Sequence, residues 1–446
     1  MTDTASDQTD TAEQTDIFQV GNYAPVADEL TEFGLPVQGS IPPELTGWYL
    51  RNGPNPRNAT GHWFTGDGMV HGVRIEGGRA AWYRNRWVRT DSFREDFPLY
   101  REDGTRNLRA SVANTHIVNH AGRTLALVES SLPYEITNEL ETVGAYDFGG
   151  KLDNSMTAHP KICPTTGELH FFGYGSIFAP HVTYHRADAD GQLVVNRPLE
   201  VKALTMMHDF ALTAGYVVFM DLPIVFNLDV AMSGSGAMPY GWDDSYGARL
   251  GLLRRDDPHG EVRWFEIDPC FVFHVANAYD RDADTVVLQG VRYPELWRGN
   301  DGFDAQGVMW TWTVDLRRGT VTESQLDDRS VEFPRIDDRL ATLPARYAVS
   351  VGDGGLVRHD LLTGDAATHR FGTVDAPGGP GEFVFVPDPG AADESSGWYL
   401  GYVYDPARDG SDLVIIDASD FAGAPVARIE LPQRVPYGFH GNWIAD

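Results

Sequence analysis

Four histidines in this sequence differ from the rest in their surroundings: His159 in MTAHPK, His208 in MMHDFAL, His274 in CFVFHVANAYD and His440 in YGFHGNW. Each lies beside apolar or aromatic residues, where an imidazole is either hydrogen-bonded within a core or bound to a metal. Taken singly, each is more often a satisfied core residue. The other ten, His71 in GDGMVHG and His116 in ANTHIV among them, sit in mostly polar or turn-like settings and read as structural. The four are about 50, 65 and 165 residues apart, which excludes a local clip of the zinc-finger kind and requires separate elements that converge.

The elements available are strands. From about residue 46 onward, short runs rich in Val, Tyr, Trp and Phe are broken by Gly, Pro, Asn or Asp. Met69–Ile75, Leu169–Tyr174, Thr285–Val291, Gly355–Asp360 and Asp412–Asp417 are examples, and Glu382–Val386 is a further one. Sustained helical period is almost absent, with short helices expected only at Asp28–Thr31 and Ile224–Met232. More than a dozen strands without a long linker imply one closed all-β architecture, because closure removes exposed sheet edges. A β-propeller satisfies this, with ligands from separate blades meeting on the axis. No blade-length repeat is visible, so pattern alone also admits a pair of β-sandwiches.

Composition narrows the function. Lys plus Arg number 35 against 64 Asp plus Glu, a net charge of −29, which repels nucleic-acid backbones and anionic headgroups. Only Cys163 and Cys270 occur, too few for a disulfide framework, and a reducing cytoplasm is the natural compartment. No apolar run has the length of a membrane span. Residues 1–16 read as a disordered acidic tail with no signal or transit peptide, leaving 17–446 as a single catalytic domain. Signatures such as GxGxxG, GxxxxGK[ST], GxSxG and HExxH are missing, so no nucleotide cofactor is expected.

From about residue 17 to 446 the chain resembles the carotenoid cleavage oxygenases. The resemblance rests on GNYAPV…LPVQGSIPPELTGWYLRNGPNP (21–56), HWFTGDGMVHG (62–72), MMHDFALT, EFPRI, GEFVFVP, GWYLGYVYD and the terminal GFHGNW, in that order. It implies a seven-bladed β-propeller with loops and short helices capping the metal-bearing face. It also implies one Fe(II) per chain, held by His159, His208, His274 and His440. Four neutral ligands leave the metal charge uncompensated, and the resemblance places Glu129, Glu332 and Glu382 behind the histidines, where carboxylates accept the far ring N–H. By the same likeness Glu129, Glu332 and Glu382 pair with His208, His274 and His440, leaving His159 without a glutamate. Thr115 matches a position beside the metal's open sites.

The implied reaction splits a C=C bond into two carbonyls, a four-electron oxidation that dioxygen balances without a reductant. Family substrates are carotenoids and apocarotenoids or stilbenoid and phenylpropenoid phenols. Phenol cleavers tend to carry a lysine before the first glutamate; here Val128 stands there, which suits a hydrocarbon polyene. Phe210, Phe271, Phe273, Phe439 and Trp443 either line a tunnel or belong to the core. The apolar segment from Leu222 to Met232 either touches a membrane to extract substrate or packs over the propeller face. A non-catalytic propeller binding module is the alternative of a different class.

Overall fold

The run from Gly68 to Glu76 ends at Gly77 and Gly78, both with positive φ (51° and 76°), and the chain turns back as Arg79–Trp87, with His71 opposite Asn85. Such antiparallel returns repeat through the computed structural model, which describes residues 17–58, 62–95, 97–233, 238–298, 305–352, 354–373 and 377–446. They gather into seven antiparallel sheets of four to six strands. These are the blades of a seven-bladed β-propeller.

Each blade has one strand at its inner edge, and all seven inner strands or their flanking residues line a common axial cavity. In chain order these strands are His116–His120, Lys161–Ile162, Ala211–Leu212, Val275–Asp282, Val331–Arg335, the pair Gly379–Pro380 and Val384–Pro387, and Gly441–Ala445. They are numbered here as the inner strands of blades 1 to 7. Blade 7 closes the ring: Gly441–Ala445 pairs with Gly47–Pro54, Arg51 opposite Gly441. Two further N-terminal strands seal outer edges, Thr31–Phe33 on blade 7 and Val37–Gly39 on blade 6.

The core lies between blades rather than at the centre. Phe172 of blade 2 meets Phe210 at 5.3 Å between ring centroids, and Phe210 stacks on Phe219 of blade 3 at 6.3 Å. All three are fully buried, each contributing about 1.5–3 kcal/mol by its removal from water. Close packing also reaches the site: a Cβ on Gly401 would overlap the ring of Phe383, the residue after Glu382.

The strand expectations hold with shifts of a residue or two, but Glu382 itself lies in the break between the two inner segments of blade 6. The helix expected at Asp28–Thr31 is absent. Thr31 starts a strand, and Leu30 exchanges hydrogen bonds with Asn85, so an available sheet edge overrides the local preference. Of Ile224–Met232, only Leu228–Met232 is helical, capped by Asn227. Ile224–Phe226 pairs instead with Tyr240–Trp242. Residues 1–16, assigned to a tail, lie outside the described residues.

Candidate metal centre

Each of the seven blades places one side chain of this centre within or just before its inner strand or in the break between its inner segments. Thr115, His159, His208, His274 and His440 each precede an inner strand by one to three residues, Glu332 is the second residue of its strand, and Glu382 sits in the blade 6 break. Glu129 reaches the same region from the turn after Arg123–Leu127 of blade 1.

The four histidines converge. Nε2 of His208 lies 3.0 Å from Nε2 of His159 and 3.4 Å from Nε2 of His274. Ligand atoms of His159, His274 and His440 lie within 4.8 Å of one another, and all four side chains are buried. Burial and the neighbouring imidazoles hold His159 and His440 well below the usual histidine pKa, so both are neutral. Burial works against a charge on His208 most strongly, but Glu129, with Asp209 and Glu332 behind it, outweighs burial and raises that pKa.

Behind the histidines stand carboxylates. His274 Nδ1 lies 2.5 Å from Glu332, and His440 Nδ1 lies 3.0 Å from Glu382. His208 Nδ1 approaches Glu129 to 2.9 Å, off the line of a good hydrogen bond. Among the described residues no carboxylate lies at ion-pair distance from His159. Each carboxylate favours a proton on Nδ1 and leaves the lone pair on Nε2. A proton between two neighbouring Nε2 atoms satisfies one such contact, whereas a cation among them satisfies all four imidazoles at once. An octahedral ion with bonds of about 2.1 Å separates adjacent ligands by about 3.0 Å, close to the two spacings here. The donor set therefore fits a divalent transition metal.

The glutamates are held in turn. Glu332 accepts the Tyr293 hydroxyl at 3.0 Å and the Phe333 N–H at 2.5 Å. Glu382 accepts the Gly441 N–H at 2.9 Å and Arg335 Nη1 at 3.2 Å. A register shift between Glu332 and Arg335 makes this possible: it aims Glu332 at His274 and Arg335 at Glu382. Between them Phe333 adopts a left-handed φ of 55°, a conformation costing roughly 1–3 kcal/mol for a non-glycine residue, and its ring lies 5.1 Å from His274 and 5.3 Å from His440.

Two cavities meet at the histidines. The larger, about 610 Å³, is bounded by His208, His274 and His440, by Thr115, Val128 and Glu129, and by the rings of Trp63, Phe64, Phe273, Phe333 and Phe439. The Thr115 hydroxyl donates to Asn114 Oδ1 at 2.9 Å, so its methyl group is the part left for the cavity. The smaller, about 320 Å³, runs along the axis and takes in His159, His116, Lys161, Asp209 and Arg335.

Of the five aromatics noted in the sequence, Phe273 and Phe439 line the larger cavity. Phe210 and Phe271 are core, and Trp443 packs between blades 6 and 7. The turns Gly21–Tyr23 and Trp63–Thr65 contribute to its wall, whereas the α-helices Asp91–Arg94 and Leu228–Met232 do not. His116, read as ordinary, is buried with Nδ1 2.7 Å from the Ala158 carbonyl and its ring 5.2 Å from His440. Sequence reasoning also missed Lys161, Asp209, Tyr293 and Arg335. Asp209 carried a signal: an acid inside MMHDFAL is as costly to bury unpaired as the glutamates were.

The family model for retinal pigment epithelial membrane protein matches residues 23–445. A carotenoid cleavage oxygenase of Mycobacterium tuberculosis is 39% identical, covering 97% of this chain and 98% of that one. A carotenoid 9,10(9',10')-cleavage dioxygenase of Crocus sativus is 34% identical over 96% of this chain and 88% of its own length. Among solved structures, a variant of Synechocystis apocarotenoid oxygenase superposes with a TM-score of 0.84 at 28% identity, covering 95% of this chain and 98% of that one. A lignostilbene dioxygenase of Pseudomonas brassicacearum gives 0.87 at 27%, covering 97% and 99%.

Proposed function

The chain belongs to the retinal pigment epithelial membrane protein family, that of the carotenoid cleavage oxygenases, and from that premise we propose that it is an Fe(II)-dependent dioxygenase cleaving a C=C bond of a carotenoid or apocarotenoid into two carbonyl products. The observation that carries this reading is the convergence of four imidazoles on one point of a largely apolar cavity.

His159, His208, His274 and His440 would hold the iron, which when bound supplies open positions and redox chemistry for activating dioxygen. The chain does the rest. Glu129, Glu332 and Glu382 keep protons on Nδ1 and make each Nε2 a better donor. Trp63, Phe64, Phe333 and Phe439 offer ring faces and exclude water from a reacting polyene. Thr115 narrows the approach with its methyl group. Two oxygen atoms enter two carbonyls, and the four electrons released reduce dioxygen in full.

Stilbenoid cleavage at the same centre is the second reading, favoured by the phenols of Tyr23, Tyr293 and Tyr437 on the cavity wall. Two observations weigh against it: the Tyr293 hydroxyl is taken by Glu332, and Val128 stands beside Glu129. For substrate capture, Leu222 and Ile224 are buried, and Leu228 (61% exposed) and Met232 (78%) are the segment's exposed large apolar side chains for contact with a membrane surface. Among the described residues no helix is long and apolar enough to cross one.

The test is incubation of Fe(II)-loaded protein under air with carotenoids, apocarotenals and hydroxystilbenes, identifying the carbonyl products. Paired aldehydes from a polyene support the proposal. Products from hydroxystilbenes alone would replace it with the second reading.

A further inference from the structure

The residue after His208, Asp209, is 1% exposed and is used on three sides. Its Oδ1 accepts the N–H of Phe210 at 2.7 Å and lies 2.8 Å from Lys161 Nζ, while its Oδ2 accepts the N–H of Val275 at 2.8 Å. Val275 directly follows His274, and Lys161 stands two residues beyond His159. One buried carboxylate thus spans blades 2, 3 and 4 at the points where three histidines leave the inner strands.

We propose that Asp209, with Lys161 as its counter-charge, is a positioning residue that fixes the spacing of His159, His208 and His274 for the metal. The inference rests on the four-histidine reading. The geometry assigns the need for it. His159 is followed by Pro160, which has no N–H to anchor its turn, and no carboxylate stands behind its ring; Thr157, which accepts the His159 N–H at 3.1 Å and donates to the His208 carbonyl at 3.2 Å, ties it to the next turn, and the Lys161–Asp209 pair is the charged tie that carries the link on to His274. The fourth ligand is anchored separately: Glu382 accepts the N–H of Gly441, and the His440 N–H donates to the Thr115 carbonyl at 3.0 Å. One carboxylate, Asp209, thus touches three of the four turns, and a second, Glu382, touches the fourth. Asparagine at 209 offers one acceptor oxygen where the carboxylate offers two, and sets its amide donors against an N–H and an ammonium.

The test uses Co(II), whose visible absorption reports coordination geometry, titrated into the metal-stripped full chain as parent, Asp209→Asn, Lys161→Met and His274→Ala. Asp209→Asn should weaken Co(II) binding by 10- to 100-fold, the range usual for partners of metal ligands, and shift the absorption bands. Lys161→Met, which keeps both backbone hydrogen bonds to Asp209, should weaken binding by a smaller factor. It also stands as the test if Asp209→Asn does not fold. A lower metal-free melting temperature with parental affinity and spectrum in both variants would make the clamp merely structural and overturn the proposal. A parent that binds no Co(II), or binds it equally after His274→Ala, would overturn the four-histidine reading itself.

Discussion

Arg335 Nη1 and Glu382 Oε2 meet at 3.2 Å inside the ring, a guanidinium from blade 5 beside the carboxylate that supports His440 from blade 6. This contact sets the local charge balance. Lys161 and Asp209 cancel one another. With Asp338, which faces solvent, left out, Glu129, Glu332 and Glu382 against Arg335 leave two negative charges, the number a divalent metal neutralises.

The three glutamates should accordingly respond differently to loss of charge. Glu129→Gln and Glu332→Gln each remove half of the two-charge deficit and should lower iron affinity or turnover by roughly 10- to 100-fold, with little effect on the metal-free fold. Glu382→Gln should do the same and also destabilise the metal-free protein, because it strips the buried Arg335 of its carboxylate. Breaking a fully buried pair costs about 3–5 kcal/mol, and the exposed Asp338 at 3.2 Å makes a value at or below the lower end the expectation. Restored melting temperature without restored iron affinity in Glu382→Gln/Arg335→Met is the signature. Parental affinity in all three single variants would rule out charge compensation.

Metal removal should destabilise the chain, since only the folded ring brings the four imidazoles together to bind the ion. Iron at a thousandfold over its dissociation constant is worth about 4 kcal/mol. Calorimetry before and after chelation should show a lower melting temperature without iron, and no such difference in His274→Ala.

Acid should weaken the fold through buried histidines, beginning below the ordinary histidine pKa. Burial holds His170 and His185 at a pKa of about 4, with partial opposition from Glu168 and Asp153 respectively. Their folded values are depressed, so the stability they allow is complete above the unfolded value of about 6.5 and is lost as pH falls toward 4. Each should contribute a slope of about 1.4 kcal/mol per pH unit across that window. Urea midpoints between pH 7 and 5 measure it. His185→Phe, which keeps a ring against Phe171, should flatten the dependence, and an unchanged slope would refute the assignment.

Much of the site was legible because its costs are local. An imidazole or carboxylate inside an apolar strand is expensive wherever it sits, so His274 in CFVFHVA and Glu332 in VEFPRI stand out, and the family resemblance then assigns them their roles. The strands were legible for the same reason, their apolar runs being cut by turn residues. What stayed hidden depends on partners distant in sequence. Arg335 matters through Glu382 and Asn442, and His116 is buried only because blades 2 and 7 close over it. Thr31–Phe33 becomes a strand because Arg79–Trp87 offers it an edge.

Substrate choice turns on the cavity wall. Val128 borders the larger cavity beside Glu129, so a hydroxystilbene phenolate finds no cation there and loses about 1–3 kcal/mol, or roughly 10- to 100-fold in affinity. Measurable cleavage of a polyene and poor cleavage of resveratrol-like phenols are expected, with some phenol activity gained in Val128→Lys. Comparing kcat/KM for the two substrate classes in parent and variant decides it.

Gly441–Ala445 is at once the strand that closes the ring and the one that follows His440. During synthesis, a nascent chain can therefore present three of the four histidines but not the full set. The fourth imidazole arrives with the docking of that strand against Gly47–Pro54. A polypeptide stalled on the ribosome short of this segment lacks both the seal and the last imidazole, so on the four-histidine reading it closes no ring and completes no metal site.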